Sequence, residues 1–411
     1  MKNITNNIIL ILFSFVLFAC GEDRTYEYLE LTKENQWIYN QMKECYYWKS
    51  NIKEPERSAF FQNESKFFES LINSADKASY FEDTISVPTY GMSFAVMRDP
   101  LGIKASNYYA LIVDVQPGSP AAEAGIVRGT WITKVGRNSL SANNYSILQR
   151  GDSVAVCTSY IDYNDSIGNN EWHVGDTLQM RAAIEIEPTI IALDSIYEER
   201  GKRIGYIVCD KFMGSSFAQD IQNRLSRMQD CDNLIIDLRY NVGSSIECAC
   251  TFANLLLPAD KSGNKFCTLV DNDGEYIDED KFLIGGKELL PNLENIYLLI
   301  GGSTGGAVEA FIAAMKKYSD KVVVVGENSA GVNYYTKAIE SPFGFTINPV
   351  IAQIYTDNET MLPAEGITPD YFVNEFEQIE KVYQRGERQE YMLYCTMHLI
   401  TSGGLPRTAL Q

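Results

Sequence analysis

Hydrophobic positions along the chain fall into three textures. From Thr25 to Phe81 there is no Gly and only one Pro, Pro55. Apolar residues recur there at helical spacings, as in Trp37, Met42, Tyr46 and again Phe67, Phe68, Leu71, which predicts a small helical region. From Tyr90 short apolar runs such as Ala110–Val115 alternate with Gly and Pro turns, the pattern of a β domain. From Ile204 the period switches repeatedly. Strand-like runs at Gly205–Val208, Leu234–Leu238, Ile296–Ile300 and Val322–Val325 are separated by amphipathic stretches at Phe217–Met228, Cys248–Leu257 and Ala307–Lys317. Strands alternating with helices predict an α/β layer.

Ahead of these lies an apolar run, Ile8 to Ala19, broken only by Ser14 and preceded by Lys2. It is too short to cross a bilayer, which takes about 20 residues, and reads as a secretion signal. Its end, Leu17-Phe18-Ala19-Cys20, resembles a bacterial lipobox. Cleavage before Cys20 and acylation of its thiol would tether the chain to a membrane. Gly21-Glu22-Asp23 resembles a surface-export signal. The expected location is the Gram-negative cell envelope, at the outer membrane, on its periplasmic side or surface.

Composition narrows the chemistry. The 411 residues carry a formal charge of −19, which repels nucleic acid and anionic lipid. Two histidines, His173 and His398, exclude a multi-histidine metal site. Besides Cys20 there are eight cysteines and no Cys-x-x-Cys pair, which leaves a zinc ribbon or thioredoxin motif unsupported. Export permits disulfides, but several of these cysteines sit in apolar runs and read as buried free thiols. Asp271-Asn272-Asp273-Gly274 reads as a hairpin turn, because its Gly comes too early for an EF-hand loop. No metal or cofactor is expected.

In the β region, Gln116 to Gly129 reads as a strand end, a Pro-Gly turn, a short helix opening at Ser119-Pro120 and a Gly stop. This run resembles a PDZ domain of the bacterial protease type. Gly91-Met92-Ser93-Phe94 stands where such domains keep their carboxylate-binding loop. The resemblance implies capture of a peptide C-terminus, with the peptide adding a strand to the sheet.

The third region carries Asp237-Leu238-Arg239-Tyr240-Asn241, a glycine-rich loop before Glu309, Gly326-Glu327-Asn328-Ser329-Ala330-Gly331, and Gly366-Ile367-Thr368-Pro369-Asp370. In this order the four marks resemble the C-terminal-processing, or tail-specific, serine protease family, over about residues 204–373. The implied fold class is multidomain α+β. It comprises a signal peptide (1–20), an N-terminal helical region (21–85), a PDZ-like β domain (86–190), a ClpP/crotonase-like α/β protease domain (195–380) and a C-terminal tail (381–411).

The resemblance also implies a serine nucleophile three residues before the Glu and a lysine base in a G-x-x-T-x-G-K run. Such a lysine must be desolvated before it can act as a base. Here those positions hold Gly306 and Val332, which have no hydroxyl and no amine. The oxyanion hole would be formed by backbone N–H groups of Gly243 and Ala307, but Asn241-Val242-Gly243-Ser244 keeps one Gly where the family has two adjacent. Ser303, Thr304 and Lys337 are the weak substitutes in reach, and Ser329 would need a base of its own. Neither histidine lies in a family motif. Glycines before a helix leave bare N–H donors that can hold a carboxylate or carbonyl.

The reading is therefore an envelope lipoprotein that binds extended peptides or protein C-termini, its hydrolytic site degenerate. The alternatives are an active serine endopeptidase using Ser303 or another nucleophile, and an interaction scaffold with a vestigial cleft.

Overall fold

The computed structural model describes residues 25–83, 88–103, 107–164, 168–187, 189–243, 245–277, 281–356 and 360–407. Cys20 and the signal lie outside the described residues. No helix among the described residues is long and apolar enough to cross a membrane. The chain divides into two compact units, one of 1–82 with 337–350, the other of 83–336 with 351–411.

The first unit is built on the helices Thr25–Cys45 and Glu64–Leu71. Ile38, Met42 and Tyr46 recur every four residues on one face of the longer helix and are buried with Phe60, Phe67 and Phe68. The Tyr46 hydroxyl donates to Asp76 Oδ2 at 2.7 Å and accepts from the Asn73 N–H at 2.9 Å. The segment 337–350, remote in sequence, returns here as a hairpin. Its strands Ile339–Glu340 and Phe345–Asn348 form a three-stranded sheet with Tyr80–Asp83, and Phe345 stacks on Phe81 at 5.0 Å. The helical region expected over 21–85 is thus joined by a piece of chain placed by sequence inside 195–380.

The second unit holds two layers. Its β part is an antiparallel sheet in the order Met92–Arg98, Tyr108–Val115, Trp131–Val135, Val154–Asn164, Asn169–Met180. The short helix Pro120–Glu123 opens at Ser119, whose Oγ accepts from the Ala122 N–H at 3.1 Å.

The α/β part centres on a six-stranded sheet, in the order Tyr371–Phe372, Val322–Gly326, Asn295–Ile300, Asn233–Asp237, Lys202–Cys209, Ile191–Glu199. It is parallel except for the last pair. Side chains alternate between its faces. Tyr206, Val208, Ile235, Leu299 and Val325 form one core with the helix Tyr391–Ser402. Their alternates Ile207, Ile236, Leu298 and Val324 are fully buried as well. The helices Phe217–Ser226, Ile246–Leu256 and Ala307–Tyr318 pack together through Phe217, Phe252 and Phe311. The stretch 381–411, read from sequence as a tail, supplies the helix that covers one face of this sheet. Its apolar residues Met392, Leu393 and Cys395 are inaccessible to water.

All eight cysteines outside the signal are free; Cys209, Cys231, Cys250, Cys267 and Cys395 are buried. Asp271–Gly274 forms the turn of a hairpin, with Asp271 Oδ1 accepting from the N–H groups of Asp273 and Glu275.

Candidate functional site

The turn between the strand Asn295–Ile300 and the helix Ala307–Tyr318 is the place to look for a nucleophile. Sharp strand-to-helix turns expose a reactive side chain above a sheet. Gly306 is the last residue before the helix, with φ +59° and ψ −123°, a conformation that side chains other than Gly rarely adopt. A β-carbon placed on it would stand 3.1 Å from Gly243 O and 3.3 Å from Val242 O. Both nearest neighbours are carbonyl oxygens, which accept hydrogen bonds and cannot stabilise an oxyanion.

The weak substitutes are placed as follows. Thr304 is fully buried; its hydroxyl donates to Leu238 O at 2.9 Å and accepts from the Gly301 N–H at 3.0 Å. It ties the turn to the neighbouring strand. Ser303 is exposed at the turn's tip. Lys337 belongs to the first unit, with an exposed side chain and its N–H donated to Pro349 O. His173 lies in the strand Asn169–Met180, 3.3 Å from Glu171. His398 lies in the C-terminal helix, its Nδ1 at 2.8 Å from Gly404 O.

The loop after the strand Asn233–Asp237 presses on this turn. A β-carbon on Gly243, at φ +60°, would stand 2.4 Å from Gly305 O and 2.8 Å from Ala307 N. Gly243 and Ala307, the expected oxyanion pair, are therefore neighbours. The Gly243 N–H donates to Asn241 Oδ1 at 3.0 Å, and Asn241 Nδ2 donates to Cys209 O at 3.0 Å. One of the two expected donors is thus directed into its own loop.

Glu309 has the part that sequence reasoning missed. It is 1% exposed and gathers the two halves of the site. Its carboxylate accepts from the Ser329 hydroxyl, from the N–H groups of Gly331 and Val332 at 2.8 Å each, and from the Gly306 N–H at 3.1 Å. The reach back to Gly306 is half of a capping box, a signal readable in sequence as a Glu at the third helical position. Burial holds its carboxyl above the usual carboxylate range, against the four donors. Ser329 is committed, because its Oγ also accepts from the Ile367 N–H at 2.6 Å. Gly331, at φ +73°, is packed so tightly that a β-carbon would meet Ala364 O at 2.1 Å. Val332 turns a methyl group toward Gly305, where a β-carbon would lie 3.1 Å away.

Beneath the turn lies a buried ion cluster. Arg239 Nε and Nη2 donate to the two oxygens of Asp237 at 3.0 and 2.6 Å, and its Nη1 donates to Glu375 at 3.0 Å and Glu390 at 2.7 Å. Arg128, from the β part, donates to Glu375 and, at 3.0 Å, to the Tyr240 hydroxyl. Tyr206 donates to Asp237 at 2.7 Å. Burial would raise the carboxyls of Asp237 and Glu375, but the guanidinium of Arg239, joined at Glu375 by Arg128, outweighs it and holds both below their usual values.

In the β part, Met92–Arg98 is an edge strand, and Gly91, at φ +72°, leads into it. The Gly91 N–H donates to Thr89 Oγ1 at 3.1 Å. Ser93 and the strand end Asp114–Val115 line a cavity of about 320 Å³, closed from the α/β side by Lys211, Tyr240 and Arg385.

Residues 203–373 match the profile of peptidase family S41, and residues 33–81 match that of the peptidase S41 N-terminal domain. Together they span more than half of the chain. The chain belongs to peptidase family S41. A relative in Bacillus subtilis, carboxy-terminal processing protease CtpA, is 24% identical over 322 residues, which cover 76% of this chain; the match spans 63% of that relative's length. Among solved structures, a candidate S41 protease from Bacteroides fragilis superposes with a TM-score of 0.74 at 24% identity, covering 89% of this chain and 97% of the other. The photosystem II D1 C-terminal processing protease gives a TM-score of 0.54 at 16% identity, covering 92% and 99%. These similarities show a mixed α/β multidomain fold on the scaffold of a serine peptidase family.

Proposed function

We propose that this S41 chain is an exported lipoprotein, tethered through Cys20 in the Gram-negative envelope, that binds extended peptides or protein C-termini without cutting them. The observation that carries the reading is the turn at Gly306. The scaffold positions that turn, its clamp Glu309 and the opposing turn 329–332, yet neither Gly306 nor Val332 offers a group that attacks or accepts a proton. Relatives named for carboxy-terminal processing supply the ligand class. The β part is read as PDZ-like and the α/β part as ClpP/crotonase-like. The open edge of Met92–Arg98 beside the cavity at Ser93 would receive the peptide as an added strand.

The test is a fluorophosphonate label and a peptide-cleavage assay on the purified chain, beside binding of peptides with free or amidated C-termini. Wild type is expected to stay unlabelled and uncleaving, and to prefer the free carboxylate. Wild-type turnover that Ser303→Ala abolishes would establish the endopeptidase instead. Equal indifference to both peptides would point to a scaffold whose cleft is vestigial.

A further inference from the structure

We propose that the N-terminal unit carries a saccharide-binding pocket built around Trp48. The unit carries a half-open cavity of about 360 Å³, lined by Trp48, the segment 51–55, Ala59, Gln62 and the segment 70–73. That volume lies at the small end of the range for ligand sites, about 300–1,000 Å³.

The lining selects the ligand class. One wall is the half-buried indole of Trp48, braced edge-on by Tyr47 at 4.9 Å and tilted against Tyr46 at 5.5 Å. Ile52 and Leu71 are buried residues that supply the apolar floor. Around these stand three carboxamides, Asn51, Gln62 and Asn73. Each carboxamide both donates and accepts. Two of these atoms are committed, since Asn73 Oδ1 accepts from the Ala75 N–H at 2.9 Å and Asn51 Oδ1 from the Ser50 hydroxyl at 3.2 Å; the three amide N–H₂ groups and Gln62 Oε1 are left to face a ligand. Lys53 and Glu54 complete the rim as adjacent opposite charges, so the rim carries no net charge to select an anion or a cation.

A neutral ligand is implied, with an apolar face for the indole and hydroxyls that donate and accept at its edge. A pyranose has that chemistry. An extended peptide fits less well, because strand addition requires a sheet edge and the lining residues come from helix ends and loops, none from the unit's three strands.

The experiment is saturation-transfer NMR on the full secreted chain. The probes are methyl glycosides of glucose, galactose and mannose, N-acetylglucosamine, and a tetrapeptide of Ala and Pro as the competing class. At least one saccharide is expected to receive saturation on its ring protons. Its affinity should fall about tenfold in Trp48→Ala, the scale of a lost aromatic contact. Trp48 contacts two tyrosines, so Asn51→Ala on the exposed rim serves as a second variant that spares the core; it should weaken the same saccharide several-fold. The proposal is overturned if no saccharide is saturated, if only the tetrapeptide is, or if saccharide binding is unchanged in both variants. Peptide cleavage and C-terminal binding are read separately, so a failure here leaves the proposed function untouched.

Discussion

The ion cluster around Arg239 and the turn at Gly306 are joined by one short loop, and they differ in what they retain. In the cluster every charged group has its partner. Arg239 and Arg128 face Asp237, Glu375 and Glu390, with Tyr206 and Tyr240 completing the hydrogen bonds. At the turn the framework is equally complete. Thr304 brackets it, Gly243 presses on it, and Glu309 ties it to Gly331 and Val332. At the helix start the turn holds Gly306, and the residue after Gly331 is Val332, so neither position carries a hydroxyl or an amine. On the function proposed above, a serine peptidase scaffold separates into groups that hold backbone in place and groups that do chemistry, with the first set kept here and the second lost.

The cluster should dominate stability. Arg239→Met leaves Asp237, Glu375 and Glu390 buried with their main cation gone, which is expected to cost about 3–5 kcal/mol in urea unfolding. A loss below 1 kcal/mol would mean that the carboxylates find water or protons cheaply, and the contrast with the turn would lose its energetic side. Glu309→Gln comes next. It strands at least one of four donors gathered on a buried carboxylate, at about 1–3 kcal/mol.

The two regions should also respond to pH with opposite signs. Asp237 and Glu375 titrate below their usual values when folded. Their contribution is complete above the unfolded value, near 4, and is lost as pH falls through the depressed folded values. Glu309 is raised by burial. The native state keeps its proton longer than the unfolded chain, so its contribution is greatest in acid and declines as pH rises through the raised value. Unfolding midpoints measured from pH 3 to 8 should show a decline of the second kind that is smaller in Glu309→Gln than in wild type, the remainder coming from Asp210 and Glu327, whose carboxyls burial also raises. If the decline is undiminished in the variant, Glu309 contributes nothing to it and the other raised carboxyls account for all of it.

Much of this was legible in sequence because it is periodic or local. The buried strand through Leu234–Asp237 and the helix opening after Gly306 follow from apolar runs and glycine turns. The pairing of Asp237 with Arg239 is two residues long and could be anticipated. The cluster as a whole could not. Arg128, Glu375 and Glu390 lie far apart in the chain, and single charges at wide spacing leave no period to detect. The excursion 337–350 into the first unit was hidden for a related reason, since a short hairpin reads alike whichever sheet it joins. Glu309 was visible as a landmark, but its role required knowing that the turn 329–332 folds back onto it.

Two substitutions probe the turn itself, where smaller effects are expected. Gly306→Ser puts a side chain at φ +59°, close to two carbonyl oxygens, at a cost of about 1–3 kcal/mol. Alone it should not label with fluorophosphonate, because Val332 supplies no base; paired with Val332→Lys it should label slowly. If the single variant labels as fast as the pair, a base already stands in the site.

Ser303→Ala should do least. Ser303 is exposed at the tip of the turn, and exposed positions away from special features change stability by about 0.5 kcal/mol or less. It lies three residues before Gly306, while a displacement of about 1 Å from attack geometry already costs on the order of 100-fold. Stability, labelling and peptide binding should all match wild type. Loss of a wild-type activity in this one variant would place the reacting group at the tip of the turn, and the proposed framework without chemistry would prove to be one with its chemistry displaced.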